Sequence, residues 1–368
     1  MGLQIAIDAS RITVSQRTGT ENYALQLIRH LLRLNTQHHF HLYFRDQPAA
    51  GLLPLHHNWT PHVIPWPRMW THLRFASALW LQRPDVIFVP AHTLPRFFVG
   101  RAVVTIHDLG YLYFPEAHPP RERQYLDWST RYSAKRATRV LADSEATRQD
   151  LIEHYHIPPD KIHVVYPSYD DRLQPVTDST RIAAVRAKYG IEKDYFFFLG
   201  TLQPRKNIER LIRAFQLFRA ESKLEVALVL GGKKGWLFDE TWLNGAEDVQ
   251  LIGYVADVDI AALYSGAVGF VFPSLYEGFG FPILEAMRCQ VPVLCSHISS
   301  LPELGGDAVL YVDPMRTENI AEGLEKLALL SSVERQAMIE RGLQQLQKFK
   351  WEQTALQTLK HLEGAAND

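Results

Sequence analysis

The sequence is poor in several features that identify whole classes of protein. It has 2 cysteines in 368 residues, Cys289 and Cys295, both in apolar stretches, so neither a disulfide framework nor a cysteine metal site is expected. No stretch reaches the ~20 apolar residues that a membrane-spanning helix needs. The first residues lack the basic start and long apolar run of a signal peptide. These absences favour a soluble, cytoplasmic protein.

An excess of charge of one sign is also missing. The net charge is −1, from 39 basic and 40 acidic side chains, which argues against a nucleic-acid partner. Residues 1–170 hold 18 basic and 14 acidic side chains, an imbalance for which chance is the better explanation. A basic first half would nevertheless suit an anionic membrane or a lipid-phosphate acceptor, so peripheral contact with the inner membrane stays open.

Short apolar strands alternate with helical patterns along the whole chain. Alternation of this kind predicts an α/β protein with parallel sheets wound by right-handed crossovers. A chain of 368 residues is too long for one comfortable core, so two such domains are expected. The predicted strands are Leu3–Ile7, His39–Phe44, His62–Ile64, Val86–Val89, Ala102–Ile106, Arg139–Ala142, His163–Val165, Tyr195–Leu199, Glu225–Leu230, Val249–Ile252, Gly269–Phe272, Val293–Cys295 and Val309–Val312.

A polar stretch around residues 166–180 lacks apolar periodicity and predicts the boundary between the halves. We therefore expect an N-terminal domain at 1–170, a linker at 171–190 and a C-terminal domain at 191–345. Helices are predicted over Thr20–Leu34, Pro120–Arg136, Asn207 to about Ala220, and Ser331 to Leu362.

Two carboxylates eight positions apart are the first candidate for a functional site. Glu277 precedes a glycine-rich turn, Gly278-Phe279-Gly280, and Glu285 lies one turn into a helix that Pro282 begins. Carboxylates bind vicinal diols through charge-assisted hydrogen bonds, and free backbone N–H groups at the helix start bind an anion. This pattern suits a sugar nucleotide, whose diphosphate lies between two hydroxyl-rich rings. A surface loop followed by an ordinary amphipathic helix is the alternative.

A basic pair at the start of another helix favours the sugar-nucleotide interpretation. Arg205 and Lys206 follow the apolar strand Phe196–Leu199 and Gly200, where ligands bind in open α/β sheets. An arginine fork and a lysine point charge suit a diphosphate. Cations at a helix start oppose the helix dipole, so a mere solvated helix start explains them less well than a bound anion.

These segments resemble the family 4 retaining glycosyltransferases, which have the GT-B fold. The resemblance covers nearly the whole chain, is most specific between Phe196 and Pro314, and is nearest to bacterial polysaccharide mannosyltransferases. One departure is the loop after the first strand, Thr18-Gly19-Thr20-Glu21, which has one glycine fewer than the family often has. The matching segments are Gly200–Asn207, Glu277–Glu285, Leu228–Trp236, Gly253–Val255, Val104–Leu109 and Phe114–Glu116.

The resemblance implies two Rossmann-like domains, the first for the acceptor and the second for the nucleotide sugar. A C-terminal segment, residues 346–368, would return to the first domain, with Trp351 at the docking point. The implied catalytic residues are His107, Arg205, Lys206 and Glu277. The implied donor-binding residues are Gly19, Gly200, Arg205, Lys206, Tyr254, Val255, Glu277, Gly278, Phe279, Gly280 and Glu285.

The expected reaction moves a hexose from a nucleotide diphosphate to a glycan or lipid-linked acceptor, with retention. Arg205 and Lys206 would stabilise the leaving diphosphate, Glu277 would bind sugar hydroxyls and Glu285 the ribose diol, with Tyr254 and Val255 beside the base. No Asp-x-Asp metal site is predicted, so no metal or cofactor is expected. GDP-mannose is favoured as donor and UDP-glucose stays open, as do the acceptor and the oligomeric state.

Alternatives remain for single residues and for the whole chain. His107 would contact the donor sugar by resemblance, whereas a histidine satisfied by Asp108 is the plainer interpretation. The stretch from Trp66 to Phe75 mixes aromatic and basic residues, as at a membrane interface, but its helical apolar stripe favours core packing. A nucleotide-sugar epimerase of GT-B-like fold and a non-catalytic nucleotide-sugar-binding subunit are the rival functions.

Overall fold

The computed structural model describes residues 2–14, 19–55, 57–66, 68–235 and 237–368. The chain forms two compact units. The first comprises Met1–Leu112, Pro120–Ser168 and Phe349–Asp368, and the second comprises Tyr113–Pro119 and Tyr169–Lys348. Residues Thr18, Pro67 and Trp236, which belong to segments discussed above, lie outside the described residues.

The first unit is built on a seven-stranded parallel sheet with the order β3-β2-β1-β4-β5-β6-β7. Its strands are β1 Gln4–Asp8, β2 His39–Phe44, β3 Trp59–Val63, β4 Val86–Val89, β5 Ala102–Ile106, β6 Arg139–Ala142 and β7 Ile162–Val164. Its helices are α1 Gly19–Arg33, α2 Ala76–Gln82, α3 Gly110–Tyr113, α4 Pro120–Arg136, α5 Glu145–Tyr155 and the last helix of the chain, α13 Trp351–Asn367, with a π-helical turn at Trp70–Phe75.

The second unit repeats the architecture with a six-stranded parallel sheet, order β10-β9-β8-β11-β12-β13. Its strands are β8 Asp194–Leu199, β9 Val226–Gly231, β10 Val249–Gly253, β11 Gly269–Phe272, β12 Val293–Ser296 and β13 Leu310–Val312. Its helices are α6 Ser179–Lys188, α7 Ile208–Glu221, α8 Asp257–Ser265, α9 Phe281–Arg288, α10 Leu301–Gly305, α11 Thr317–Ala328 and α12 Ser332–Gln345.

The central strands are apolar because helices cover both faces of each sheet. Ile5, Ala6 and Ile7 of β1 are fully buried, as are Phe196–Phe198 of β8. A strand buried on both faces gains from a continuous apolar run rather than from alternation. The expected α/β fold of two Rossmann-like parallel-sheet domains is therefore confirmed.

The strand order also locates the crevices of both sheets. The order reverses between β1 and β4 in the first sheet and between β8 and β11 in the second. In open α/β sheets a ligand crevice opens at the carboxyl ends of the strands where the order reverses. The residues that follow β8 and β11 therefore occupy the favoured place in the second unit.

The end of the chain differs from its sequence-based prediction. The single helix predicted over Ser331 to Leu362 is divided into α12, a 3₁₀ turn at Leu346–Lys348 and α13. Lys350 is extended, and Phe349 and Trp351 on either side are buried in the first unit. The sequence at the break contains neither glycine nor proline. Burial of the Phe349 and Trp351 rings, rather than a helix-breaking residue, accounts for the change in chain direction.

Helix α13 packs on α1 within the first unit. The Trp351 ring lies 6.0 Å from the ring of Tyr23 and 6.1 Å from that of His30, centroid to centroid. Thr354 Oγ1 donates to Tyr166 O at 2.7 Å, and Ser168 Oγ donates to Phe349 O at 2.9 Å. The resemblance implied that Trp351 docks the C-terminal segment on the first domain, and in the structure its ring packs against side chains of α1. Across the described ranges, no helix is long and apolar enough to cross a membrane.

Candidate active site

The candidate site of the second unit is formed by the loops that follow β8 and β11. The first loop runs from Gly200 to a 3₁₀ turn at Pro204–Lys206, and α7 starts directly after it. The second runs from Pro273 to Gly280 and leads into α9. Both leave the sheet where its strand order reverses. The sequence motifs therefore meet at one crevice.

Lys206, Arg205 and Glu277 form one ion cluster at this crevice. Lys206 Nζ donates to Glu277 Oε1 at 2.5 Å, and Arg205 Nη1 donates to Glu277 Oε2 at 3.1 Å. The side chains are 10%, 19% and 8% exposed, in that order. Burial alone would raise the pKa of Glu277, but the charges of Lys206 and Arg205 outweigh burial and lower it. The cluster therefore keeps one net positive charge, largely shielded from water, for an anionic ligand.

Hydrogen bonds fix the two loops to each other. Arg205 Nη1 donates to Tyr276 O at 2.7 Å, and Leu275 N donates to Arg205 O at 2.8 Å. Asn207 Nδ2 donates to Pro273 O at 3.0 Å and to Pro314 O at 2.8 Å. Asn207 has a φ of 62°, a left-handed conformation that asparagine tolerates better than most residues. Asn207 was missed as a site residue, although its place at the start of a predicted helix is a signal in the sequence.

Two serines in the segment that follows β12 also hydrogen-bond to the second loop. Ser300 Oγ lies 2.9 Å from Glu277 O and 2.5 Å from Phe279 O, so its hydroxyl bridges two carbonyls of the loop. Glu277 N donates to Ser299 Oγ at 3.0 Å. Ser300 is fully buried. Both serines were missed from the sequence, although they follow a predicted strand at its carboxyl end.

Glycine is required at two positions where the backbone comes close or turns. A Cβ on Gly232 would lie 1.9 Å from Gly200 O, so the loops after β8 and β9 approach to a distance that only glycine permits. Gly280 has a φ of 119° and immediately precedes α9. This turn directs the first N–H groups of α9 out of the helix end, beside the loop Gly278-Phe279-Gly280.

Glu285 lies on α9, as predicted, and is half-buried. Its Oε2 accepts a hydrogen bond from Tyr264 OH at 3.3 Å. Burial, with the negative charge of Asp170, raises the pKa of Glu285 to about 7. The group is therefore poised between its acid and its carboxylate near neutral pH, and a diol that donates two hydrogen bonds would favour the carboxylate.

Tyr254 and Val255 follow β10, two strands from β8 in the same sheet. Val255 is buried against the Gly231 backbone, while the ring of Tyr254 is exposed with Lys233 Nζ 5.2 Å from its centroid. An exposed ring beside a buried aliphatic side chain offers one flat face to a planar ligand.

His107 belongs to the first unit and lies at the carboxyl end of β5. Its Nδ1 is 2.5 Å from Asp143 Oδ2 and its Nε2 is 2.8 Å from Pro90 O. Pro90 O is an acceptor, so Nε2 carries a proton, and a carboxylate at Asp143 would accept from a proton on Nδ1 and make the ring an imidazolium. Burial raises the pKa of Asp143, and the charge of His107 opposes that rise. Burial opposes this charge, but Asp143 outweighs burial and raises the pKa of His107.

The alternative prediction, in which Asp108 is the hydrogen-bond partner of the His107 ring, is wrong, because the carboxyl partner is Asp143. Asp108 Oδ1 instead accepts a hydrogen bond from Gly110 N at 2.8 Å. Asp143 was missed, although it follows β6 in the same way that His107 follows β5. A direct contact of the His107 ring with a donor sugar would require one of its two hydrogen bonds to break, and that contact stays a prediction.

His92, after β4, was also missed from the sequence. It has a φ of 49°, and its Nδ1 is buried without a hydrogen-bond partner among the residues with described positions. Its Nε2 accepts from His107 N at 3.4 Å, so the proton lies on Nδ1. Burial and the neighbouring His107 lower the pKa of His92 to about 3, which keeps the ring neutral.

Gly19 is the first residue of α1. Glu21 lies in the segment that departs from the family pattern, and its Oε1 is 3.6 Å from Arg11 Nη1. The Arg11 guanidinium therefore offsets the negative charge that Glu21 adds to the start of α1.

The sequence has one Asp-x-Asp triplet, Asp257-Val258-Asp259, in the first turn of α8. Both carboxylates are already paired: Asp259 Oδ2 lies 2.6 Å from Lys188 Nζ, and Asp257 Oδ2 lies 3.5 Å from Arg172 Nη2. In the part of the chain that the structure describes, no group of three or more His, Cys, Asp or Glu side chains could hold a metal ion. Metal independence of the protein remains a prediction.

The structure thus brings Arg205, Lys206 and Glu277 into contact, with Gly278–Gly280 and Glu285 following on the same loop and helix. Gly200, Tyr254 and Val255 lie at the same carboxyl edge of the second sheet. His107 and Gly19 belong to the first unit.

Two protein families match the chain, one for each half. Residues 17–173 match the family described as "Glycosyltransferase Family 4", and residues 182–345 match "Glycosyl transferases group 1". The second match contains every predicted donor-site residue from Gly200 to Glu285.

Curated relatives include two mannosyltransferases of Escherichia coli. The chain is 36% identical over 274 residues to O-antigen chain mannosyltransferase B, an alignment that covers 72% of each protein. It is 33% identical over 280 residues to the serotype-specific mannosyltransferase WbdA, which covers 73% of this chain and 34% of that longer relative.

Solved structures with the same fold include a sucrose-phosphate synthase from Thermosynechococcus elongatus, with a TM-score of 0.75, 19% identity and 98% coverage of both chains. Anabaena Alr3699/HepE in complex with UDP-glucose has a TM-score of 0.72 and 18% identity, and covers 98% of this chain and 100% of its own. At these identities the likeness concerns the fold alone, which is the GT-B fold of two Rossmann-like units.

Proposed function

The chain belongs to the family 4, group 1 glycosyltransferases and is a hexosyltransferase, and from this premise we propose that it transfers mannose from GDP-mannose to a glycan or lipid-linked acceptor, with retention of configuration. The observation that carries the proposal is the ion cluster of Arg205, Lys206 and Glu277 where the strand order of the second sheet reverses. The mannosyltransferase names of the E. coli relatives support the choice of sugar and a role in O-antigen or related polysaccharide synthesis.

Arg205 and Lys206 stabilise the leaving group in the proposed reaction. The bond between C1 of the sugar and the diphosphate oxygen breaks, and the nucleoside diphosphate leaves with the bonding electron pair. The acceptor hydroxyl oxygen bonds to C1 on the same face, and its proton passes to the leaving phosphate. Negative charge grows on the diphosphate as this happens, so preorganised cations lower the barrier. Their prior pairing with Glu277 holds both in place.

Glu277 has a second role in the proposal. Each carboxylate oxygen accepts one hydrogen bond from a cation in this structure and has lone pairs left over. Those lone pairs accept hydrogen bonds from sugar hydroxyls. Glu285 accepts from the ribose diol, and Tyr254 with Val255 flanks the base.

A titration of GDP, UDP, GDP-mannose and UDP-glucose in the presence of EDTA tests the donor site. We expect GDP and GDP-mannose to bind to the wild type and binding to be lost in Glu285→Ala. Preference for the uridine nucleotides would contradict the choice of donor. Failure of all four to bind would contradict the site itself.

Retention is tested on the product. GDP-mannose carries mannose α-linked to its diphosphate, so we expect an α-mannosidic linkage in the product by NMR of the anomeric proton. A β-linkage would overturn the proposed same-face attack. Formation of another nucleotide sugar without any transfer would instead support the rival epimerase function.

A further inference from the structure

Several large apolar side chains of the first unit are exposed on neighbouring segments, apart from Leu55 and Leu356 elsewhere in the unit. They lie at Trp66 and on three segments, namely the turn and helix at residues 69–82, the loop at 93–101 and helix α4. We call this set the aromatic–basic surface, and its apolar members are Trp66, Met69, Leu73, Trp80, Leu81, Phe97, Val99, Tyr125 and Trp128.

The π-helical turn and α2 have two apolar faces instead of one. Trp70, Phe75 and Leu79 are buried in the core of the unit. Leu73, Trp80 and Leu81 face the other way and are 43%, 50% and 87% exposed. The core packing predicted for the stretch from Trp66 to Phe75 therefore holds for one face of the stretch, and its other face is exposed. An ordinary surface helix has polar residues on its outer face, so this outer face needs another explanation.

Contacts join the three segments into one surface. Trp80 Nε1 donates to Phe97 O at 2.9 Å, which connects α2 to the loop. The Arg96 guanidinium lies 5.8 Å from the ring centroids of both Phe97 and Trp128, which connects the loop to α4. The ring of His72 packs edge-on against those of Tyr125 and Trp128.

The same surface is strongly basic although the whole chain is nearly neutral. Residues 64–101 contain five arginines and one acidic residue, Asp85. All five are exposed, and none forms an ion pair with a carboxylate of the described ranges: Arg68, Arg74, Arg83, Arg96 and Arg101. Helix α4 adds five basic side chains against two acidic ones. The Arg74 guanidinium lies 5.2 Å from the Trp66 ring centroid, so charge and aromatic surface are interleaved.

We propose that the aromatic–basic surface binds the headgroup region of an anionic lipid bilayer. Leucine, tryptophan and phenylalanine side chains enter the boundary between headgroups and acyl chains, where amphipathic rings are favoured. The arginines pair with lipid phosphates through bidentate hydrogen bonds. The choice of an anionic bilayer rests on charge complementarity, because residues 64–101 hold five arginines against one acidic residue.

This binding does not depend on the proposed transfer reaction. It needs no residue of the ion cluster, which belongs to the second unit. Lipid binding and donor binding can therefore fail separately, and each is measured without the other.

Vesicle co-sedimentation tests the proposal with three variants. The first replaces apolar members (Trp80→Ser, Leu81→Ser, Phe97→Ser), and the second replaces cations (Arg68→Gln, Arg74→Gln, Arg96→Gln). The control replaces two exposed apolar residues of the second unit (Leu329→Ser, Val333→Ser), which are 63% and 77% exposed. Vesicles contain either phosphatidylglycerol with phosphatidylethanolamine or phosphatidylcholine alone. Circular dichroism and denaturant unfolding establish that each variant is folded.

We expect the wild type and the control to bind anionic vesicles, and both surface variants to bind at least ~10-fold more weakly. Binding to phosphatidylcholine should be weak, and added salt should release the protein from anionic vesicles. Equal binding by wild type and the apolar variant would overturn the proposal. So would a wild type that binds no vesicle, which would leave the surface to a protein partner.

A fluorophore placed on the surface gives an independent readout. Both native cysteines are buried, so a label on Leu81→Cys is selective. We expect its emission to shift to the blue on anionic vesicles, while a label on Leu329→Cys stays unchanged. An equal response at both positions, or at neither, would contradict insertion of this surface.

Discussion

At the residue scale, the site depends on how burial and neighbouring charges set each ionisation. Glu277 is held as a carboxylate because two cations outweigh its burial. Glu285 has no cation against it, and its pKa rises to about 7. The pKa values of these two glutamates, eight positions apart, therefore shift in opposite directions. A lowered pKa suits Glu277, which positions two cations, and a raised pKa suits Glu285, whose ionisation would respond to a ligand.

The raised pKa of Glu285 predicts a conflict between stability and binding. A pKa above the value in the unfolded chain contributes stability at low pH, and this contribution is lost as the pH rises through about 7. We expect Glu285→Gln to raise the free energy of unfolding relative to wild type by about 1–2 kcal/mol at pH 8, allowing for the partial exposure of the side chain, and by less at pH 5.

Donor binding should change in the opposite sense. Affinity of the wild type for the nucleotide should increase with pH through about 7, because the carboxylate accepts both ribose hydrogen bonds. Calorimetric titration of GDP between pH 5.5 and 8.5 measures this. Retained, pH-dependent binding in Glu285→Gln would show that Glu285 does not contact the ribose.

The paired acceptors around His107 predict an imidazolium at neutral pH. We expect nitrogen NMR at pH 7 to show both ring nitrogens of His107 protonated. Asp143→Asn should lower the pKa of His107, because the carboxylate is the main group that raises it. A neutral His107 ring in the wild type at pH 7 would contradict the assignment, and Asp46→Asn, on an exposed aspartate of the same unit, is the matched control.

At the element scale, most of the fold follows from local sequence. Each predicted strand has a counterpart in the structure, and β2, β4, β5, β6 and β11 have the predicted bounds. Strands buried on both faces leave a continuous apolar run, which is a strong signal. The break between α12 and α13 has no such signal in the local sequence, because burial of Phe349 and Trp351 rather than a helix-breaking residue produces the break.

The candidate site was predictable only in part, for a physical reason. Arg205, Lys206, Glu277 and Glu285 lie in motifs that local sequence displays. Asp143, Asn207, Ser299 and Ser300 act through contacts with residues far away in the chain, such as Asn207 with Pro314. A single sequence shows that a polar residue follows a strand, but not which loop from another strand it will reach.

Burial of Trp351 predicts that α13 stabilises the first unit. Trp351 is 2% exposed and packs on α1, so we expect Trp351→Ala to lower the free energy of unfolding by about 3–5 kcal/mol. Trp80→Ala, on a half-exposed ring of the same unit, should cost far less. Denaturant unfolding measures both, and an equal loss would contradict docking of α13 as a main source of stability.

At the scale of the whole molecule, the two units present different chemistry. The second unit carries the ion cluster and helix α9 with Glu285, and the first carries His107 and the aromatic–basic surface. Each unit is a parallel sheet whose functional loops leave one edge. A likeness in fold to enzymes with other substrates, such as a sucrose-phosphate synthase, is expected when loops rather than the sheet set specificity.

The cation pair predicts catalysis without a metal ion. We expect the rate of mannose transfer in EDTA to equal the rate without it, because Arg205 and Lys206 supply the positive charge that the leaving diphosphate needs. Addition of Mg²⁺ or Mn²⁺ after EDTA should have no effect on the rate. A loss in EDTA that either metal restores would contradict this prediction.

The most direct test of the account compares GDP release from GDP-mannose, in the presence of acceptor, by wild type, Lys206→Ala and Lys234→Ala. Lys234 is a matched control because it also pairs with a glutamate of the second unit, Glu240, but is half exposed. We expect kcat to fall by about 10²–10³-fold in Lys206→Ala, with the fold intact by circular dichroism, and to stay near wild type in Lys234→Ala. Near-normal turnover by folded Lys206→Ala would contradict the proposed diphosphate site.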